Sequence, residues 1–231
     1  MWRAGVVVCS VLLLLSCASA KKQEDAFLAE VTQMSKDEIL AKGDALAAKK
    51  KFVEARKYYA FLADSFPNDP LGRKAALKIA DTFFASKDPE SQAEAQVRYK
   101  DFATRFPNDP HRAYALLMLG RTYLQQAKGP QRDLTPVRQA AESFQQVVSL
   151  FPDSPEAQEA RTLLAKCRED LAAHELQVAR FYLQVGAKEG ARNRLNYLLR
   201  NYPETAAAKE GETLLQQLAA EEKVRTITGN T

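Results

Sequence analysis

An all-α fold is predicted: helical hairpins stacked into a superhelix, about nine helices in four and a half hairpins. Three observations carry that expectation. Ten Pro and nine Gly among 231 residues leave long stretches rich in Ala, Leu, Gln, Glu, Lys and Arg, the residues that favour helix. One turn is spelled four times, as SFPNDP at 65–70, RFPNDP at 105–110, LFPDSP at 150–155 and NYPET at 201–205. The residues ahead of each turn also repeat in register. Counting back from Pro67, Pro107, Pro152 and Pro203, position 12 holds Ala55, Ala95, Ala140 and Ala191, and position 8 holds Tyr59, Tyr99, Phe144 and Leu195. Position 5 holds Leu62, Phe102, Val147 and Leu198, and position 1 holds Phe66, Phe106, Phe151 and Tyr202. These offsets share one helical face. The small Ala admits a neighbouring helix, the bulky residues fill the groove beside it, and the residue before each Pro disfavours the α region, which ends the helix.

Along the chain, residues 1–16 place Arg3 before an apolar stretch, Ala4 to Leu15, the layout of a secretion signal peptide. Crossing a bilayer takes about 20 apolar residues, and Lys21 and Lys22 arrive too soon. Leu14-Leu15-Ser16-Cys17 resembles the lipobox of bacterial lipoproteins, which implies a lipidated, palmitate-bearing Cys17. Cleavage after Ala18 or Ala20 is the alternative. One acyl chain holds a protein marginally, at ~0.8 kcal/mol per buried CH₂, whereas two or more anchor it stably. Ala18 is not the Asp that retains lipoproteins in the inner membrane of well-studied bacteria, so the resemblance implies a lipid anchor on the periplasmic face of the outer membrane. Residues 17–35 then form a lipidated tether. Cys9 leaves with the signal and Cys17 is the anchor, so Cys167 has no internal disulfide partner.

Helices are predicted over 36–49, 52–66, 70–86, 90–106, 111–127, 136–151, 155–185, 188–202 and 206–222. They form an array over 36–222 with a polar tail at 223–231. Gly43-x2-Leu46 before Ala55-x3-Tyr59 and Pro67, and Leu119-Gly120-x2-Tyr123 before Ala140-x3-Phe144 and Pro152, resemble the tetratricopeptide (TPR) pattern. The turns are farther apart than the TPR unit of about 34 residues, and the excess is local. SKDPE at 86–90 lengthens one turn. KGPQRDLT at 128–135 reads as an inserted loop, with Thr135 as N-cap and Pro136 at the first helical position. From Ala157 to Val185 there is neither Pro nor Gly, and Ala160, Leu164, Cys167, Leu171, His174, Val178, Tyr182 and Val185 step by three and four. That predicts one helix of roughly 45 Å at 1.5 Å per residue.

Chemistry is hard to find in this pattern. The 33 basic and 29 acidic residues are interspersed, for a net +4, so no basic stripe of the kind nucleic acid demands is present. His111 begins a helix as a solvated or capping residue. His174 and Cys167 share a face, but zinc takes at least three protein ligands, and both read as core filler. Nucleophile, phosphate-loop and metalloprotease motifs are missing. Glu221 and Glu222 read as solvated, and Lys49-Lys50-Lys51 as a wet turn. Neither catalytic activity, metal nor cofactor is expected. Stacked hairpins offer a concave face for holding other proteins.

The lipobox, the short tether, the aromatic-Pro endings, the third-hairpin insertion and the long helix running into ARNRLNYLLRNYPET together resemble the BamD family. That resemblance implies five TPR hairpins that join the barrel protein BamA through its POTRA domains, and other Bam lipoproteins. It also implies help in receiving unfolded outer-membrane proteins through their C-terminal β-signals. Asn193-Arg194 matches the family's Asn-Arg pair, which implies a charge-assisted bond from Arg194 to a POTRA carboxylate. The first turn, with Phe66, Asn68 and Asp69, matches the place where the family holds an extended peptide, although Phe66 also reads as packing. The tenth helix of the family is expected to be missing or a stub. A Tol-Pal-associated adaptor of the CpoB/YbgF group, with similar YP endings but no lipobox, is the alternative reading.

Overall fold

The computed structural model describes residues 21–127 and 133–228. The expected signal peptide, the expected lipidation site Cys17 and most of the expected insertion at 128–135 lie outside the described residues. Helix α1 covers residues 21–31. After it come α2 (Lys36–Ala48), α3 (Phe52–Ser65), α4 (Pro70–Ser86), α5 (Pro89–Arg105), α6 (Arg112–Gln126), α7 (Thr135–Leu150), α8 (Pro155–Gln184), α9 (Lys188–Asn201) and α10 (Ala206–Thr228). No strand occurs among the described residues, and the fold is all-α with TPR-like hairpins. Every expected helix is present, with ends within a residue of those predicted except at the last. The chain divides into two compact units at Phe83.

The repeated turn has one geometry in all four places. The aromatic residue sits just past its helix, with φ and ψ of −134° and 54° at Phe66, −120° and 66° at Phe106, −134° and 52° at Phe151, and −136° and 45° at Tyr202. Its N–H still donates to the carbonyl four residues back, while its own carbonyl accepts from Asp69, Asp109, Ser154 and Thr205 respectively. Asp69, Ser154 and Thr205 then cap the following helix, and Asp109 binds the N–H of the residue just before α6. Asp69 Oδ1 accepts from Leu71 N at 2.9 Å, Asp109 Oδ1 from His111 N at 2.8 Å, Ser154 Oγ from Ala157 N at 3.2 Å and Thr205 Oγ1 from Ala208 N at 3.2 Å. Each turn therefore ends one helix and starts the next, satisfying N–H groups that a helix start leaves open. A cation lies over each turn ring: Lys36 on Phe66, Arg105 on Phe106, Arg112 on Phe151 and Arg168 on Tyr202, at 4.6 to 5.9 Å from the centroid.

In the first unit, Val31, Ile39, Leu40, Ala55, Tyr59, Leu62, Ala75 and Ile79 form the core. Tyr59 lies so close to Gly43 that a Cβ there would stand 2.5 Å from the ring, which is why that position tolerates no side chain. The expected tether over 17–35 is corrected here, because residues 21–31 are helical and docked. Val31 is fully buried, and Phe27 meets Tyr58 edge-on at 5.1 Å. The Tyr58 hydroxyl donates to Glu30 at 3.1 Å. Phe27 and Val31 are one helical turn apart, so together they cover apolar surface that α2 and α3 leave open.

In the second unit, α5 packs on α6, α6 on α7, α7 on α8, α8 on α9, and α10 on both α8 and α9. Ala95, Ala140 and Ala191 are completely buried, as are Tyr99, Phe144 and Leu195. Phe144 fills the space over Gly120, where a Cβ would stand 2.4 Å from the ring. Three local expectations change. Thr135 is the first residue of α7 and not its cap: Leu134 takes the cap position, and Asp133 accepts from Thr135 N at 2.9 Å. Burial of the Leu134 side chain sets this register. At α6, His111 stands at the cap position but makes no side-chain cap bond, and its own N–H donates to Asp109. The polar tail from 223 is helical to Thr228, since no breaker precedes Gly229.

Replacing Phe144 by Ala should cost ~3 to 5 kcal/mol, as for other large buried rings, and Ala140→Leu should overpack the same seam by ~1 to 3 kcal/mol. Urea unfolding followed by circular dichroism measures both. Unchanged midpoints would refute the register of nested Ala and aromatic residues.

Candidate partner-binding surface

Three hollows follow one another along the second unit. The first, about 420 Å³, lies over α5, α6 and α7 with Arg112, Leu119, Tyr123 and Glu142 on its walls. The next, about 530 Å³, uses the other side of α7 with Arg138 and Glu142, and is floored by Leu164 and Leu171 of α8 and by Tyr197 and Tyr202. A third, about 610 Å³, is lined along α9 by Asn193, Arg194, Asn196, Tyr197, Leu199 and Arg200. Glu142 and Gln146 belong to the first two, and Tyr197 to the last two. Apolar and aromatic side chains share these walls with charged ones, a composition suited to a segment of another protein.

Asn193 and Arg194 are both exposed on α9, because Ala191, Leu195 and Leu198 occupy its buried stripe. Arg194 is not free, however. Its Nη1 donates to Glu175 Oε2 at 3.1 Å, and the two side chains are 45% and 7% exposed. Sequence reasoning missed Glu175. The available signal was an acidic residue four positions after Leu171 and four before Ala179, on what is otherwise an apolar stripe. The expected α8 stripe drifts at that point. Cys167 and Leu171 are buried as predicted, but the buried set continues through Ala172, Glu175, Leu176 and Ala179, and Val185 is 59% exposed. The drift follows from α8 serving two sides, packing on α7 and also on α9 and α10.

Ion pairs clip the last helices together. Arg168 pairs with Glu204 and also donates to the Asn201 carbonyl at 2.8 Å, and this guanidinium holds the Glu204 carboxyl below the usual carboxylate range. Arg180 pairs with Glu210. Glu221 and Glu222, expected to be merely solvated, meet Lys188 at 2.6 Å and Arg192 at 2.7 Å. They belong to the α9–α10 seam because α10 runs antiparallel to α9 and brings its last turns over the start of α9.

The first-unit candidates are engaged differently. The Phe66 ring is half-buried against the core with Lys36 above it. Asp69 caps α4 and takes an ion pair from Lys36 at 2.5 Å, which holds its carboxyl below the ordinary range together with the Leu71 N–H. Asn68 is exposed, and its carbonyl accepts from Arg73 at 2.7 Å. Turn construction thus occupies Phe66 and Asp69 and leaves the Asn68 side chain outward.

No group of three or more potential metal ligands occurs among the described residues. His111 pairs with Asp109 at 2.9 Å. Cys167 is completely buried, and burial pushes its thiol up to about 11. A thiol held protonated and out of solvent is unreactive, so Ellman's reagent at pH 8 should label Cys167 no faster than the protein unfolds. Rapid labelling of the folded protein would contradict that burial.

A family model described as YfiO, outer membrane lipoprotein, matches residues 32–228. The chain is similar to the outer membrane protein assembly factor BamD of Haemophilus influenzae, 28% identical over 215 residues that span 89% of this chain and 78% of that protein. It is also similar to BamD of Pasteurella multocida, at 25% identity over 198 residues spanning 81% and 75%. Among solved structures, a thermophilic TPR protein of Thermus thermophilus aligns at a TM-score of 0.45 and 16% identity, spanning 80% of this chain and 100% of that one.

Proposed function

Because the chain belongs to the YfiO outer membrane lipoprotein family, we propose that it is an assembly factor for outer-membrane proteins: a non-catalytic scaffold that holds other proteins. It acts on the periplasmic face of the outer membrane, anchored through lipid on Cys17. Its partners are the POTRA domains of the barrel protein BamA, other Bam lipoproteins, and unfolded outer-membrane proteins delivered to it.

The observation that carries this reading is Arg194. A half-exposed guanidinium borders a hollow on α9, at the position matching the family's Asn-Arg pair. Guanidinium recognises carboxylate through directional paired N–H bonds, so an acidic POTRA side chain is the fitting counterpart. Within the first unit, the Asn68 side chain is the member of the Phe66-Asn68-Asp69 set left to meet an extended client peptide, while Phe66 and Asp69 maintain the turn that presents it.

A pull-down from detergent-solubilised outer membrane should recover BamA, and Arg194→Glu should reduce that recovery about tenfold or more, the scale of ~1.4 kcal/mol or above for a charged interface contact. Recovery of Tol components in place of BamA, from either protein, would defeat the assembly reading. Independently, globomycin should make the unprocessed precursor accumulate, and Cys17→Ser should move the protein out of the membrane fraction. Normal processing under the inhibitor would exclude lipidation.

A further inference from the structure

Glu175 is not among the residues that the sequence pattern singled out, yet it is the carboxylate that holds Arg194 on the α9 surface. It projects from α8 with its side chain 7% exposed, and among the described residues Arg194 is its hydrogen-bond partner. A buried carboxylate deprived of its counter-charge is unfavourable by roughly a hundredfold to a few thousandfold in equilibrium. A partner therefore cannot draw Arg194 away without stranding Glu175. The guanidinium carries five N–H donors in a planar fork. One points at Glu175, and the others remain for a second acceptor. Arg200 lines the same hollow, with Nε on the Asn196 carbonyl at 3.3 Å. Arg194, Glu175 and Arg200 together thus leave a net positive charge facing an arriving carboxylate.

We infer that Glu175 is the positioning residue of the α9 binding surface: it fixes the guanidinium of Arg194 so that a partner carboxylate is met by its remaining N–H groups. Arg194 then gives up its side-chain freedom when the protein folds and not when the partner binds, the general route by which preorganisation raises affinity. Lysine cannot substitute, since a single ammonium presents no planar fork to two carboxylates at once. The inference rests on the proposed contact between Arg194 and an acidic partner.

A double-mutant cycle separates the two ideas. The full chain, as wild type, Glu175→Gln, Arg194→Ala and the double variant, is titrated calorimetrically against the soluble POTRA region of BamA, with melting recorded for each. Glu175→Gln should weaken binding about three- to tenfold, Arg194→Ala tenfold or more, and the double variant no more than Arg194→Ala alone. Arg194→Lys should recover less than half of the lost binding free energy. Glu175→Leu is a second route if the glutamine variant melts early, because it leaves no buried polar group at 175 and the Arg194 side chain, 45% exposed, keeps its hydration. It should still weaken binding while Arg194 is present. Wild-type affinity in Glu175→Gln or Glu175→Leu would overturn the inference while leaving the Arg194 contact standing, as would an equal loss with and without Arg194. Unchanged binding by Arg194→Ala would instead remove the proposed contact itself.

Discussion

A methyl-sized side chain opposite a bulky one, at a fixed distance before a helix end, is the constraint on which each hairpin depends. Ala55, Ala95, Ala140 and Ala191 are all completely buried and let the neighbouring helix backbone come near. Tyr59 and Phe144 then lie directly over glycines of the preceding helix. Close-packed interiors tolerate little change in volume at such a seam. The aromatic-Pro turn is the other half of the same device. It stops the helix at the residue that completes the seam, and its capping oxygen starts the next helix in the correct direction.

Electrostatics is distributed unevenly on this frame. At the turns, charge acts through carboxylates or hydroxyls at helix starts and through cations over the rings, three of which, Lys36, Arg112 and Arg168, come from an earlier helix. Toward the C-terminal end it works between helices, where Arg168, Arg180, Lys188 and Arg192 reach acidic residues 30 to 36 positions further along the chain. Exposed pairs of this kind each contribute little, and the buried apolar contacts of Ala191, Leu195, Leu198, Ala208 and Leu218 remain the main attachment of α10. Glu175 is the exception. It is enclosed, and its pairing with Arg194 links the packing of α8 and α9 to the chemistry offered at the surface.

Helix positions, the repeat register and the identity of the buried seam residues were legible in the sequence, because each is set by neighbours within about one turn of helix: proline geometry, Ala and aromatic spacing, and glycine at the crossing. Docking of α1, the Leu134 cap position, the drift of the α8 stripe and the pairing of Glu175 with Arg194 were decided by tertiary structure alone. A helix face is polar or apolar in sequence, but which helices cover it depends on contacts made across dozens of residues. The proton affinity and orientation of a charged group depend in turn on what covers it.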